Sequence, residues 1–277
     1  MIPALAAAAV LGLIVGSFLT VVVHRTATAE PMLFGRSRCP RCARTLTWRE
    51  LLPVFSFLRQ RGRCRTCRGP IPIAYPAIEL ATAGLFILVA WRTASGAIAA
   101  PPFAPAAADW GAGALGLVTF LYASLFAAAA VAVSAYDFRY RLIPQRFVAP
   151  LAIAGGAAQV AGAFGAGSPA PLIASAAAAA GAFLAFLALW YFSAGRAMGR
   201  GDADVAGVIV LALGPAAGLV GLLFAFWIGA ASGILLVATG KSGWKSQIPF
   251  APFLFAGAVA SLLVPVAPIA VLAAYAR

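Results

Sequence analysis

Long apolar runs separated by short polar breaks dominate the chain, and the length of these runs sets the fold. The run over 2–23 is long enough to cross a hydrocarbon core of roughly 30 Å as one helix. Comparable runs lie at about 76–91, 114–136, 147–164 and 171–193. From 205 to 239 the chain stays apolar except at Gly214-Pro215, a turn signal that predicts two crossings. The first of these has only about 12 residues, roughly 18 Å at 1.5 Å per residue. It therefore spans only where other helices bury its end, or else enters and leaves on one side. A last helix is expected over 251–275. The pattern predicts an all-α polytopic membrane protein of about eight transmembrane helices. It has a first helix over 1–23, a polar insert over 24–75 and a helical bundle over 76–277. Ala-rich runs such as 176–180 allow close packing between helices.

Composition excludes a soluble domain: 63% of residues are hydrophobic, 10% are charged and mean hydropathy is +0.97. A net charge of +13 suggests nucleic acid in a soluble protein, but here its placement gives it another meaning. Eleven of the twenty Lys and Arg residues lie between Arg25 and Arg68. Seven more fall in three breaks, at Arg139, Arg141 and Arg146, at Arg196 and Arg200, and at Lys241 and Lys245. These basic breaks alternate with neutral ones, which is the positive-inside pattern. It places the insert, Asp137 and Asp202 on the cytoplasmic side and the N-terminus outside. No nucleic-acid partner is needed to explain the charge, which orients the chain and meets anionic lipid. The first run lacks a preceding basic region, so it reads as a retained helix and not as a secretory signal.

The insert holds the four cysteines of the chain, in Cys39-Pro40-Arg41-Cys42 and Cys64-Arg65-Thr66-Cys67, with 21 residues between the pairs. Two Cys-x-x-Cys knuckles can close a tetrahedral zinc site. Two disulfides are the alternative, disfavoured in a cytosolic loop. Four protein ligands leave no open position for water, so the expected zinc is structural.

Few residue types remain for chemistry. His24 is the only histidine, and no nucleophile near it in the sequence completes a triad. There is no His-Glu-x-x-His helix, and Lys241 and Lys245 read as charges flanking a span. Two of the seven acidic residues, Asp137 and Asp202, stand at corresponding ends of apolar runs, 65 residues apart. Carboxylates at membrane depth are costly and point to function. Two that face one another can share one proton, so that one activates water while the other polarises a peptide carbonyl. Gly199-Arg200-Gly201-Asp202 removes two side chains beside the second carboxylate, which would let substrate backbone approach. Helix capping is the alternative role for both aspartates.

Several stretches together resemble the type IV prepilin peptidases, GxGD-class membrane aspartyl proteases. They are Gly16-Ser17-Phe18-Leu19-Thr20, the cysteine knuckles with Arg61-Gly62-Arg63, and Tyr75-Pro76-Ala77-Ile78-Glu79-Leu80. Asp137 with Leu142-Ile143-Pro144, the Gly199 to Asp202 tetrapeptide and Ile248-Pro249-Phe250-Ala251-Pro252-Phe253 complete the set. The resemblance implies an enzyme of the bacterial cytoplasmic membrane that cuts the short basic leader from type IV prepilins or type II secretion pseudopilins. Asp137 and Asp202 are then the catalytic pair, and Cys39, Cys42, Cys64 and Cys67 bind zinc. The resemblance also implies methylation of the new N-terminus from S-adenosylmethionine. Three positions depart from the family pattern: Thr20 where Asn is frequent, Gln145 where an acidic residue is frequent, and Asp204 where lysine is frequent. The alternatives are a related GxGD protease with another membrane substrate, and a non-enzymatic ion or proton transporter. The transporter needs a polar path, yet Glu79 is the only other acidic residue within a span.

Overall fold

The structure, a computed structural model, describes residues 1–32, 34–95, 113–240, 243 and 248–263. Its helices are α1 (Ile2–Thr28), α2 (Phe55–Arg59), α3 (Ala74–Ala94), α4 (Gly113–Tyr140), α5 (Gln145–Ala166), α6 (Ala170–Phe192), α7 (Arg200–Leu213), α8 (Pro215–Ala238) and α9 (Ala251–Leu263). The described residues contain no strand, as the apolar pattern predicts. Among the described residues six helices, α1, α3, α4, α5, α6 and α8, are long and apolar enough to cross a membrane. Lys241, Lys245 and the end of the expected 251–275 helix lie outside the described residues. The chain forms two compact units, Met1–Arg92 with Ala123–Ala135, and Thr93–Tyr122 with Tyr136–Arg277.

In the first unit α1 and α3 run antiparallel in backbone contact. A Cβ on Gly12 would lie 2.6 Å from the Cα of Ala83, and one on Gly16 would lie 2.7 Å from the Cα of Glu79. Glycine at these two positions is therefore what permits the crossing, as small residues do between membrane helices. Beyond 23 the helix continues to Thr28, and buried Arg25 folds the following chain back on it. One guanidinium nitrogen donates to the carbonyls of Pro31, Met32 and Phe34, and the other to that of Gly35. Charge placement alone shows Arg25 as a topological cation; the structure shows it also organising the entry to the insert.

In the second unit α7 is the central element, buried along most of its length and packed by α5, α6, α8 and α9. It joins α8 in an antiparallel hairpin at buried Gly214, whose φ of +80° suits glycine. With 14 residues, α7 reaches only about 21 Å, which leaves its last carbonyls short of water. Two side chains from other helices satisfy two of them. Gln159, 2% exposed, donates to the Leu211 carbonyl at 2.8 Å, and the Tyr122 hydroxyl donates to that of Ala212 at 2.6 Å. Irregular backbone at membrane depth is tolerated only when its polar groups are satisfied in this way. We expect Tyr122→Phe or Gln159→Leu to leave a buried carbonyl unpaired and to cost about 1–3 kcal/mol each. Thermal unfolding of the purified variants measures this loss.

Candidate active site

Asp137 lies in the last turn of α4, and Asp202 is the third residue of α7. Each is buried, 6% and 4% exposed respectively, and each is held by one carboxylate oxygen. Asp202 Oδ2 accepts the backbone N–H of Gly199 at 2.9 Å, closing the first turn of its own helix. Asp137 Oδ2 accepts the backbone N–H of Ala251, the first residue of α9, at 3.3 Å. Both aspartates thus do make capping contacts. The two carboxylates also lie within electrostatic reach of each other, so capping does not exclude pairing. The positive ends of α7 and α9 favour negative charge at this point.

The sequence around the pair has local reasons. Arg141, at φ +53°, turns the chain out of α4, and its N–H bonds back to the Asp137 carbonyl at 2.8 Å. Leu142-Ile143-Pro144 then leads into α5. A Cβ on Gly201 would lie 2.9 Å from the Cβ of Ile143. The second glycine of the tetrapeptide therefore admits the α4–α5 connection onto the first turn of α7, and its neighbour is Ile143. Tyr136, one residue before the first aspartate, stacks near Tyr140 and edges onto Phe147, with centroids 4.6 and 5.6 Å away. This aromatic group braces the end of α4 against the start of α5.

Two departures from the family pattern meet in space. The side-chain amide of Gln145 donates to Asp204 Oδ2 at 2.5 Å, and Arg200 lies 4.0 Å from the same oxygen. Asp204 is therefore engaged by a donor and a cation beside the site. The third departure, Thr20, donates its hydroxyl to the Ser17 carbonyl at 2.7 Å within α1.

The cysteine insert folds as two similar knuckles. Cys39 N–H donates to the Arg44 carbonyl and Cys64 N–H to the Gly69 carbonyl, while Ala43 and Arg68 occupy matching left-handed positions at φ +54° and +55°. The shared Arg-Cys-x-x-Cys at 38–42 and 63–67 is the sequence signal of this small repeat. All four Sγ atoms lie within 4.8 Å of one another, and Cys39 and Cys67 are 3.9 Å apart. Zinc–sulfur bonds of about 2.3 Å in a tetrahedron separate sulfurs by about 3.8 Å, so this donor set fits a metal ion. The backbone N–H groups of Cys67 and Thr66 aim at Cys64 and bring its thiol down to about 6, while, against the Gly69 N–H, burial and the neighbouring thiols push Cys67 up to about 11, so the four do not ionise alike without a metal. The cysteines form no disulfide. Nearby, Arg44 forms a two-pronged pair with Glu50 and holds that carboxyl down to about 2, with help from the Thr47 N–H.

Two buried aspartates at helix ends in one helical unit, with a separate four-cysteine cluster, are a donor set that a membrane aspartyl peptidase could use. Comparison with known proteins makes the family specific. Residues 10–93 match the Bacterial Peptidase A24 N-terminal domain, and residues 124–234, which hold both aspartates, match the Type IV leader peptidase family. A "Prepilin leader peptidase/N-methyltransferase" of Burkholderia pseudomallei is 35% identical over 93% of this chain and 84% of its own length. One from Bacillus subtilis is 32% identical over 92% of both chains, and one from Aeromonas hydrophila is 30% identical over 90% and 87%. No solved structure matches. The chain belongs to the type IV leader peptidase family.

Proposed function

We propose that this protein cleaves the leader peptide from type IV prepilins or type II secretion pseudopilins at the cytoplasmic face of the bacterial inner membrane. The observation that supports this reading is that the segment matched to the leader peptidase family holds both Asp137 and Asp202, each buried at a helix end and within electrostatic reach of the other. Each carboxylate has one oxygen fixed by a backbone N–H, and the described residues form no hydrogen bond to the other. With one proton shared between them, the ionised member takes a proton from water as the water oxygen attacks the peptide carbonyl. The protonated member donates to that carbonyl oxygen. Collapse of the adduct breaks the C–N bond: the proton taken from water passes to the departing amine, and a hydroxyl proton of the adduct returns to the other aspartate, which restores the singly protonated pair. The roles belong to the pair, which titrates as a unit.

The insert over 24–75 is the metal-bearing domain in this proposal, and 76–277 is the peptidase bundle. Cys39, Cys42, Cys64 and Cys67 would hold a zinc ion whose chemistry is structural, since four thiolates fill its coordination. The relatives' names carry N-methylation as well, and we extend it to this chain as methyl transfer from S-adenosylmethionine to the freed amine. Hydrolysis requires no residue assigned to that cofactor. Charge alternation along the sequence supports a cytoplasmic position for the pair and the insert.

Purified protein in lipid vesicles, given a prepilin and separately an unrelated single-span protein, tests the reading. Mass spectrometry should show a single cut in the prepilin, and a product heavier by one methyl group when S-adenosylmethionine is added. Cleavage of the unrelated helix with the prepilin left intact would point to a different membrane substrate.

A further inference from the structure

The insert carries an apolar surface that hydrolysis does not use. Trp48, Phe55 and Leu58 are 68%, 57% and 66% exposed, and Leu51 and Leu52 beside them are also exposed. Phe55 and Leu58 lie three apart on α2 and so share a face, while Phe57 turns inward against Gly62. Arg49, stacked 5.3 Å from the Trp48 ring, and Arg59 flank this surface and are themselves exposed. Exposed aromatic and aliphatic groups edged by arginine suit the boundary between lipid headgroups and chains.

Depth along the helices bears on what could cover the surface. The Val54 N–H donates to Glu79 Oε2 at 2.7 Å, and the Ser17 hydroxyl reaches the same carboxylate. Glu79 lies three residues, about 4.5 Å, past the start of the apolar run at 76, and Ser17 lies six residues, about 9 Å, before the end of the first apolar run. The chain at 51–55 is therefore sunk to a level already within the apolar spans on either side of it. Its backbone is held there under strain. Val54 has φ +58° and ψ −48°, unusual for a β-branched residue, at the centre of a tight turn in which the Phe55 N–H bonds to the Pro53 carbonyl at 2.5 Å. The carboxylate of Glu79 fixes that turn.

We infer that the segment 48–59 is an interfacial anchor. Leu51, Leu52, Phe55 and Leu58 lie in the cytoplasmic leaflet, and Trp48, Arg49 and Arg59 lie among anionic headgroups. The partner is the lipid surface of the same bilayer. The anchor adds a third membrane attachment to the insert, besides the two helices that bracket it, and explains why a metal-stapled domain leaves large apolar side chains uncovered.

The photoreactive residue p-benzoyl-phenylalanine placed at 55, 58 or 65 tests this in the full protein, reconstituted in vesicles with or without phosphatidylglycerol. Irradiation and mass spectrometry should give lipid adducts at 55 and 58 in several-fold excess over 65, an exposed knuckle position. Yields should rise with phosphatidylglycerol, and Arg49→Gln with Arg59→Gln should remove that rise. Protein adducts at 55 and 58, from a second copy or another chain, would overturn the assignment, as would lipid yields no greater than at 65. Equal yields in neutral and anionic vesicles would overturn the anionic surface. If the analogue at 58 prevents accumulation, position 55, where one aromatic ring replaces another, carries the test.

Discussion

Asp202→Asn and Asp137→Asn are each expected to lower leader cleavage by about 10³-fold or more, while the protein still folds. Asparagine keeps a carbonyl oxygen where each carboxylate keeps one. It can therefore still accept the N–H of Gly199 or Ala251 that closes the start of α7 or α9. What it loses is the ability to take or share a proton. The pair then has no base for water, or no acid for the carbonyl. Asp202→Ala removes the cap too, and is expected to cost about 1 kcal/mol of stability in addition to activity. Comparing melting temperature and single-turnover rate across the Asn and Ala variants separates the two roles of one side chain. Full activity in either Asn variant would sink the aspartyl mechanism.

Replacing a cysteine of the cluster is expected to have the second large effect, and to act on structure before chemistry. The insert has few buried apolar side chains, and Cys39 and Cys64 are among them. Structural zinc supplies on the order of 10 kcal/mol in small peptides, more than such an insert gains from its own contacts. Cys64→Ser should lower bound zinc, measured by elemental analysis of purified protein, to near zero. It should also expose the chain between α1 and α3 to protease. The anchored segment 48–59 lies between the knuckles, so its hold on Glu79 should weaken with them. Retained zinc and unchanged protease resistance would contradict a four-thiolate site.

Much of this was legible because length and residue type carry it. Apolar runs of membrane length gave the all-helical class, and four cysteines at knuckle spacing gave the cluster. Scarcity of other reactive groups left Asp137 and Asp202 as the pair to consider. Contacts between residues far apart in sequence were not legible. Nothing local marks Gln159 and Tyr122 as partners of carbonyls 52 and 90 positions away, although a short α7 raised the question of how its end is satisfied. Ala251 meets Asp137 through its backbone across 114 positions, and a backbone N–H has no sequence signature beyond the helix start implied by Pro252. Gly201 could be read as room for substrate; its tight approach to Ile143 depends on how the α4–α5 connection folds over α7. Glu79 looked like an isolated acid near a span end, and only the structure shows it holding Val54.

The central claim is that the two carboxylates act as one hydrolytic unit. Single-turnover prepilin cleavage by wild type, Asp137→Asn, Asp202→Asn and the double variant, in the same vesicles, tests it most directly. Residues that act as a unit are strongly non-additive, so both single variants and the double should fall to one common floor. A double variant far slower than either single would mean that the two aspartates contribute independently, and would contradict the shared-proton pair.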